Sequence, residues 1–177
     1  MNHHHGHYYP PEDFRRTFER PEEYLPEVFE GKKGVIVDYG CGNGFYARYL
    51  LEYATKLYCI DINVIALEEV KKKFNSAITL TSPKEIPHST VDFVFFANSF
   101  HDMDDKQYVV SEVKRILKSD GRVIIIDWRK ENTGFGPPLS VRMDEKDYMK
   151  WFSDFTVEKR FTPTPYHFGL VLKRKTS

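Results

Sequence analysis

The sequence predicts an α/β fold in three layers, with helices on both faces of a seven-stranded, mostly parallel sheet. From position 35 onward, short apolar runs alternate with amphipathic helical patterns, as in parallel sheets with crossover helices. The first run, 35–39, is almost continuously apolar, which suits a strand buried on both faces. The last two runs, 155–161 and 167–172, flank a proline-rich connection and predict a hairpin whose last strand is antiparallel.

Each predicted strand is an apolar run that ends at a turn or at a polar residue. The predicted strands are 35–39, 56–60, 78–81, 91–97, 123–126, 155–161 and 167–172. The first strand ends at a glycine-rich turn, 40–44, and the second ends at Asp61. The Ser-Asp-Gly segment at 119–121 is expected to stop a helix before the fifth strand begins.

The predicted helices place apolar side chains three and four residues apart. They cover 45–53, 64–74, a segment from about 105 to 117, and a segment from 145 to about 152. In the second of them, Leu67, Val70 and Phe74 share one face. Asp104 or Asp105 supplies a cap for the third helix, and Asp144 supplies one for the last.

Charge and cysteine content narrow the classes of function. Twenty-six basic residues balance 26 acidic ones, so no cationic field favours a nucleic-acid partner. Cys41 and Cys59 are too few for a disulfide framework, which favours a reducing, cytoplasmic setting. Neither a secretory signal nor an apolar stretch of roughly 20 residues is present, so no membrane association is expected.

Residues 1–34 are interpreted as an N-terminal arm, and residues 35–177 as the main domain. The arm carries a histidine cluster made of His3, His4, His5 and His7. Clustered imidazoles can bind zinc, nickel or copper, or can simply form a partly protonated terminus, and the sequence leaves both open. Aromatic residues of the arm, Phe14 and Phe18 among them, are candidates for a lid over a ligand site.

The glycine turn at 40–44 is the most informative motif. Gly40, Gly42 and Gly44 permit positive backbone torsions and let a ligand approach the main chain, and the helix that follows contributes unpaired N–H groups that favour a carboxylate or a phosphate. A dinucleotide fingerprint would need its third glycine at position 45, where Phe45 stands. Asp61 follows the next strand, where a carboxylate can bind a ribose diol. Together these features predict an adenosine-bearing ligand.

At these positions the sequence resembles the class I S-adenosylmethionine-dependent methyltransferases, in particular the Methyltransferase-11, ubiquinone-biosynthesis-like branch. The resemblance covers about 35–173. It rests on Asp38-x-Gly-Cys-Gly-Asn-Gly, Asp61, the segment from Ile86 through Val91-Asp-Phe-Val, and Leu117-Lys-Ser-Asp-Gly. It implies a Rossmann-like methyltransferase fold and S-adenosyl-L-methionine as cofactor.

The resemblance also implies roles for individual residues. Gly40, Cys41 and Gly42 should lie along the methionine part of the cofactor, and Asp38 should orient its amino group. Asp61 should bind the ribose and Ile62 should contact the adenine. Ser82 stands where many relatives have an acidic residue for the adenine amine, and Asn98 matches the position beneath the methionine part.

The methyl acceptor is predicted to be a small molecule bound beyond the carboxyl ends of the strands. His101 is the candidate general base, although it could equally hydrogen-bond a loop. Arg142 could face an anionic substrate or only water. Two alternative functions stay open, namely a non-catalytic module that binds S-adenosylmethionine or metal, and a nucleotide-dependent oxidoreductase.

Overall fold

A seven-stranded sheet with the order β3-β2-β1-β4-β5-β7-β6 organises the structure, a computed structural model that describes residues 11–176. All neighbouring strands run parallel except β7, which is antiparallel to both β5 and β6. The strands are β1 (Gly34–Tyr39), β2 (Ala54–Ile60), β3 (Ile78–Leu80), β4 (Val91–Ala97), β5 (Leu117–Trp128), β6 (Phe155–Phe161) and β7 (His167–Arg174). The predicted fold class and the antiparallel last strand are confirmed.

Six α-helices accompany the sheet within the described residues. They are α1 (Glu12–Arg15), α2 (Leu25–Phe29), α3 (Ala47–Leu50), α4 (Val64–Lys73), α5 (Lys106–Ile116) and α6 (Glu145–Trp151). The predicted caps are present, because Asp105 accepts from the amide of Tyr108 and Asp144 forms a capping box with Asp147. None of the helices in residues 11–176 has the length and apolar character needed to cross a membrane.

Two predicted elements differ from the structure by more than two residues at one end. Strand β5 begins at Leu117 and not at 123, so the predicted turn at 119–121 lies inside the strand. The pairing with β4 is irregular there, because Val91 pairs with Leu117 but Phe93 pairs with Arg122. The helix predicted at 45–53 is only four residues long. Its aromatic residues have modest helix propensity, and Phe45 and Tyr46 are buried, so packing of their rings against the core outweighs helix formation.

Both faces of the sheet are buried. The side chains of β1 alternate between two core clusters, with Ile36 in one and Val37 in the other. The arm contributes to the first cluster through Leu25 and Phe29, each 1% exposed. The C-terminal part of the arm is therefore part of the hydrophobic core, and the segment before it lies over the carboxyl ends of the strands.

Candidate functional site

A cavity of about 320 Å³ opens at the carboxyl ends of β1, β4 and β5. Six of the nine predicted site residues line it, and they are Asp38, Gly40, Cys41, Gly42, Asn98 and His101. Residues of the arm and of the loop after β5 complete its wall, among them Arg15, Phe18, Glu19, Trp128 and Phe135. The crevice that the fold predicts at this edge of a parallel sheet is thus present.

The backbone amides of the glycine turn are already used inside the protein. Gly40 and Cys41 both donate to the carbonyl of Ile60, over 2.7 and 3.0 Å, and Gly42 donates to Oδ2 of Asp61 over 2.8 Å. Gly44 donates to the carbonyl of Cys41. The amides of Gly40, Cys41, Gly42 and Gly44 are therefore not free to bind an anionic ligand, and the sequence shows the glycines but not the acceptors that their N–H groups find.

Gly40 keeps the turn close to the strand beside it. Its φ is +84°, and a Cβ built on it would lie 2.5 Å from Cβ of Ser99, which is too short for any real contact. The Ser99 hydroxyl donates to the carbonyl of Tyr39 over 2.8 Å and thereby joins β1 to the loop after β4. The glycine is therefore required both by its torsion and by this close approach.

Asp38 and Asn98 present unsatisfied oxygens in the same cavity. Within residues 11–176, neither Oδ2 of Asp38 nor Oδ1 of Asn98 has a hydrogen-bond partner, although both atoms are buried. Burial, followed by the neighbouring Asp61 carboxylate, raises the pKa of Asp38 to about 7. Asn98 adopts a left-handed conformation with φ +57°, which holds its side chain in this position. Buried acceptors without donors indicate a place for a hydrogen-bond donor from a ligand.

The three remaining predicted cofactor residues lie outside the cavity wall. Asp61 is buried, and its two carboxylate oxygens accept from the amides of Gly42 and Asn63 over 2.8 and 2.9 Å. Ile62 is 59% exposed, and Ser82 is half-buried and accepts from the amide of Lys84. Asp61 and Ile62 follow β2, and Ser82 follows β3. Strand β2 lies beside β1, which leads into the glycine turn, and β3 lies on the other side of β2.

His101 lies between two carboxylates at the end of β4. Its Nδ1 is 3.0 Å from Oδ2 of Asp127, and its Nε2 is 3.3 Å from Oδ2 of Asp102 without hydrogen-bond geometry. Burial disfavours the imidazolium, but the charge of Asp127, with further help from Asp102, outweighs it and raises the pKa of His101 to about 10. Asp127 also accepts from the Tyr148 hydroxyl and from the Trp128 amide.

Sequence reasoning missed Tyr148 and the charged residues of the arm. Tyr148 is fully buried on α6, and Glu19 is 1% exposed at the cavity. Glu19 binds Arg15 through Nε over 2.7 Å and accepts from the hydroxyl of Tyr46. No local motif marks these residues, because long-range packing brings them to the site.

Aromatic rings form one wall of the cavity. The ring of Phe18 lies 5.2 Å from that of Phe135 and 6.2 Å from that of Trp128, centroid to centroid. Both Phe14 and Phe18 line the cavity. Arg142 faces neither substrate nor water. It is buried, and it donates to the carbonyls of Arg129, Glu131, Phe135 and Pro137 and to Thr133, so it holds the loop after β5.

The two cysteines add no reactive group to this site, and the histidine cluster of the arm lies outside the described residues. Cys41 and Cys59 are free and buried, so they serve as small packing residues. The neighbouring Cys59 thiol and burial raise the pKa of Cys41, so it stays a thiol. No group of three or more potential metal ligands occurs in the part of the chain described, and His3, His4, His5 and His7 lie outside it.

Comparison with known proteins gives consistent matches. The family model Methyltransf_11, a methyltransferase domain, matches residues 37–125. A crystal structure from Sulfolobus solfataricus, assigned to the type 11 methyltransferases, is 84% identical with a TM-score of 0.89 and covers 90% of this chain and 95% of its own. A SAM-dependent methyltransferase from Aquifex aeolicus is 27% identical with a TM-score of 0.79, covering 93% of this chain and 98% of its own.

Curated relatives are larger proteins. A probable tocopherol O-methyltransferase, chloroplastic, from Oryza sativa subsp. japonica is 32% identical over 73% of this chain. A malonyl-[acyl-carrier protein] O-methyltransferase from Hamiltonella defensa is 23% identical over 80% of this chain. The aligned segment spans 38% of the first relative's length and 55% of the second's. With half of its residues matched by the family model, the chain belongs to the Methyltransf_11 family of S-adenosylmethionine-dependent methyltransferases.

Proposed function

We propose that this chain transfers a methyl group from S-adenosylmethionine to a hydroxyl group of a small molecule with an apolar body, and that His101 accepts the hydroxyl proton. The observation that carries the proposal is one cavity lined by Asp38 and Asn98, which have unsatisfied oxygens, and by His101, which Asp127 holds through Nδ1. The first pair of residues suits the cofactor, and the second suits the acceptor.

The residues present fit the methionine part of the cofactor. A buried carboxylate oxygen and a buried amide oxygen, both lacking donors within residues 11–176, match an ammonium group that has three N–H donors. Gly40, Cys41 and Gly42 line the same cavity, and the Cβ of Gly40 would collide with Ser99, so the turn must keep this shape. We therefore assign Asp38, Asn98 and the turn to the amino-acid end of the cofactor.

The adenosine part is assigned to the residues that follow β2 and β3. Each oxygen of Asp61 has one backbone donor and a second lone pair, which leaves capacity for the ribose hydroxyls. Ile62 is exposed and offers an apolar surface for the adenine ring. Ser82 or the adjoining backbone would take the adenine amine in place of the acidic residue of many relatives. Residues 35–177 are proposed as the methyltransferase domain, with 1–34 as an arm.

The chain's own part in the reaction is alignment and proton removal. S-adenosylmethionine supplies a methyl group on a positively charged sulfur, so the donor is already activated. Asp127 holds the His101 ring through Nδ1, and this leaves Nε2 without a hydrogen-bond partner in the described structure. Nε2 takes the proton of a bound hydroxyl when the imidazole is neutral. Phe18, Trp128 and Phe135 exclude water and hold the acceptor in line with the methyl group.

The acceptor class follows from the wall of the cavity and from the relatives. The cavity is bounded by aromatic rings and by the Gly136-Pro137-Pro138 segment, which suit an apolar molecule with one reacting polar group. Two similar curated proteins are named as O-methyltransferases. A hydroxyl is also the acceptor for which a base at His101 is useful, because a neutral hydroxyl is a poor nucleophile.

Titration calorimetry and a transfer assay test the proposal together. S-adenosylmethionine and S-adenosylhomocysteine should bind, whereas NAD should not. Incubation with a methyl-labelled donor and a panel of phenols and other apolar alcohols should then yield labelled ethers by mass spectrometry. Binding without transfer to any acceptor would favour a non-catalytic module, and binding of NAD alone would favour an oxidoreductase.

A further inference from the structure

The cavity needs a partner for the second charge of the cofactor's amino-acid end. That end carries a carboxylate besides its ammonium group, and the amides of Gly40, Cys41, Gly42 and Gly44 cannot bind it because each already donates within the protein. A buried carboxylate without a charged or hydrogen-bonding partner is strongly unfavourable. Among the described residues that line the cavity, the basic side chains are Arg15 and His101.

Two carboxylates of the protein already lie beside His101. It lies 3.0 Å from Asp127 and 3.3 Å from Asp102, so a third carboxylate beside it would add repulsion from two neighbours. Its Nδ1 is also taken by Asp127. His101 is therefore a poor partner for the cofactor's carboxylate, which leaves Arg15 as the basic side chain of the described cavity wall that can pair with it.

Arg15 is held in a fixed position and has donors to spare. Its Nε and Nη2 bind the two oxygens of Glu19 over 2.7 and 3.4 Å, and its guanidinium lies 3.9 Å from the centroid of the Phe45 ring. Nη1 has no partner among residues 11–176, and the side chain is 15% exposed, at the cavity. An arginine fixed along one edge can offer its remaining N–H groups to a carboxylate without losing further side-chain entropy.

We propose that Arg15 binds the α-carboxylate of S-adenosylmethionine, with Glu19 holding the guanidinium in place. This inference rests on the proposed function, because it requires that the cofactor's amino-acid end lies at Asp38 and Asn98. Arg15 lies outside residues 37–125, the segment matched by the family model. The arm would then complete the cofactor site, and Phe14 and Phe18 of the same segment line the same cavity.

Calorimetry with two ligands that differ in one group tests the assignment. Decarboxylated S-adenosylmethionine retains the sulfonium and the amine but lacks the carboxylate. The wild-type protein should bind it about tenfold to a hundredfold more weakly than S-adenosylmethionine, the range for a lost charged hydrogen-bonding partner. Arg15→Gln should weaken S-adenosylmethionine by a similar factor and leave the decarboxylated ligand almost unchanged.

Two further variants separate this role from a structural one. Arg20→Gln changes an exposed arginine of the same arm, 54% exposed at its side chain, and should leave both affinities unchanged. Arg15→Lys preserves a charge beside Glu19 and should bind S-adenosylmethionine with an affinity between those of wild type and Arg15→Gln. It also serves as the test variant if Arg15→Gln does not fold.

Several results would overturn the assignment while the proposed function stands. One is a wild-type protein that binds the two ligands equally well. Another is an Arg15 variant that weakens both ligands by the same factor, which would indicate an indirect effect on the shape of the site. A wild-type protein that binds neither ligand would instead refute the proposed cofactor site itself, so the two failures are distinguishable.

Discussion

Asp127 accepts a hydrogen bond from Nδ1 of His101 across 3.0 Å, although His101 lies in the turn after β4, Asp127 lies near the end of β5, and α5 separates them in the chain. Both side chains are almost fully buried, at 2% and 1% exposure. Asp127 also accepts from Tyr148 and from the amide of Trp128, so three donors fix the carboxylate. A carboxylate held in this way determines both the orientation and the charge of the histidine beside it.

The charge of His101 should appear in the pH dependence of stability. Its pKa in the folded protein is about 10, above the usual 6.5, so its contribution to stability is fully present below pH 6.5 and is lost as the pH rises through about 10. We expect the free energy of unfolding of wild type to fall across this window by on the order of 2 to 4 kcal/mol more than that of His101→Asn. Urea unfolding at pH 6, 8 and 9.5 measures this, and parallel curves would refute a raised pKa.

Turnover should depend on the neutral form of the same histidine. Because the pKa of His101 is raised to about 10, only a small fraction is neutral at pH 7, and the rate should increase with pH up to that value. His101→Asn should reduce the rate by about a hundredfold or more and remove this dependence, while the dissociation constant for S-adenosylmethionine stays unchanged. His88→Asn changes an exposed histidine and is the control. A His101 variant with the wild-type pH profile would exclude it as the base.

Tyr148 should act on His101 through Asp127. Tyr148→Phe removes one of three donors to a buried carboxylate, and we expect a loss of about 1 to 3 kcal/mol in the free energy of unfolding. The carboxylate would then interact more strongly with the imidazolium, so the pKa of His101 in an NMR titration should rise. Tyr58→Phe, a half-buried tyrosine without a side-chain hydrogen bond among the described residues, should change neither quantity. A destabilised variant with an unchanged His101 titration would limit Tyr148 to a packing role.

The predictable part of this site is the part encoded by neighbouring residues. The strand followed by glycines and the aspartate at the end of β2 both follow from short-range patterns, and the structure places Asp38, Gly40 and Asp61 at adjoining strand ends. Arg15, Glu19 and Tyr148 could not be predicted, because only packing of the arm and of α6 brings them to the cavity.

The hydrogen-bond partners of the glycine turn and of Arg142 could not be predicted from the sequence either. Glycine spacing predicts a turn, but the acceptors that use its amides, Ile60 and Asp61, depend on the position of β2. The sequence leaves Arg142 open between an anionic substrate and water, although charged side chains are usually exposed. Five acceptors in the loop after β5 compensate its burial instead.

Cofactor affinity should change with the ionisation of Asp38. The pKa of this residue is raised to about 7, so at lower pH the free protein carries a neutral carboxyl that must lose its proton before it pairs with the cofactor's ammonium group. The dissociation constant of S-adenosylmethionine should therefore decrease by about fivefold to tenfold between pH 6 and 7.5. Asp38→Asn should bind more weakly at pH 7.5 and show little change with pH. Calorimetry at four pH values decides, and an equally steep dependence in the variant would assign the proton to another group.

Ionisation of Asp38 should also lower the free energy of unfolding of the ligand-free protein. Its raised pKa means that it contributes stability at low pH that is lost as the pH rises from about 4 through 7. Asp38→Asn should therefore increase the free energy of unfolding at pH 8 by about 1 to 3 kcal/mol in the absence of ligand, although it binds the cofactor less well. Urea unfolding with and without S-adenosylmethionine would show the two effects with opposite signs. A variant that is less stable in both conditions would mean that the Asp38 carboxylate stabilises the ligand-free fold.

Asp61 should affect both the glycine turn and the cofactor, and two variants separate these effects. Asp61→Ala removes the acceptors for the amides of Gly42 and Asn63 together with the proposed ribose contact, so cofactor affinity should fall by about 1 to 3 kcal/mol. Asp61→Asn retains one acceptor oxygen and should preserve more of the turn while it weakens binding of both S-adenosylmethionine and plain adenosine. Asp120→Ala, an exposed aspartate at the opposite end of the sheet, is the control. If Asp61→Asn binds adenosine as tightly as wild type, the carboxylate serves only the turn, because adenosine retains the ribose diol but has no amino-acid end for the turn to position.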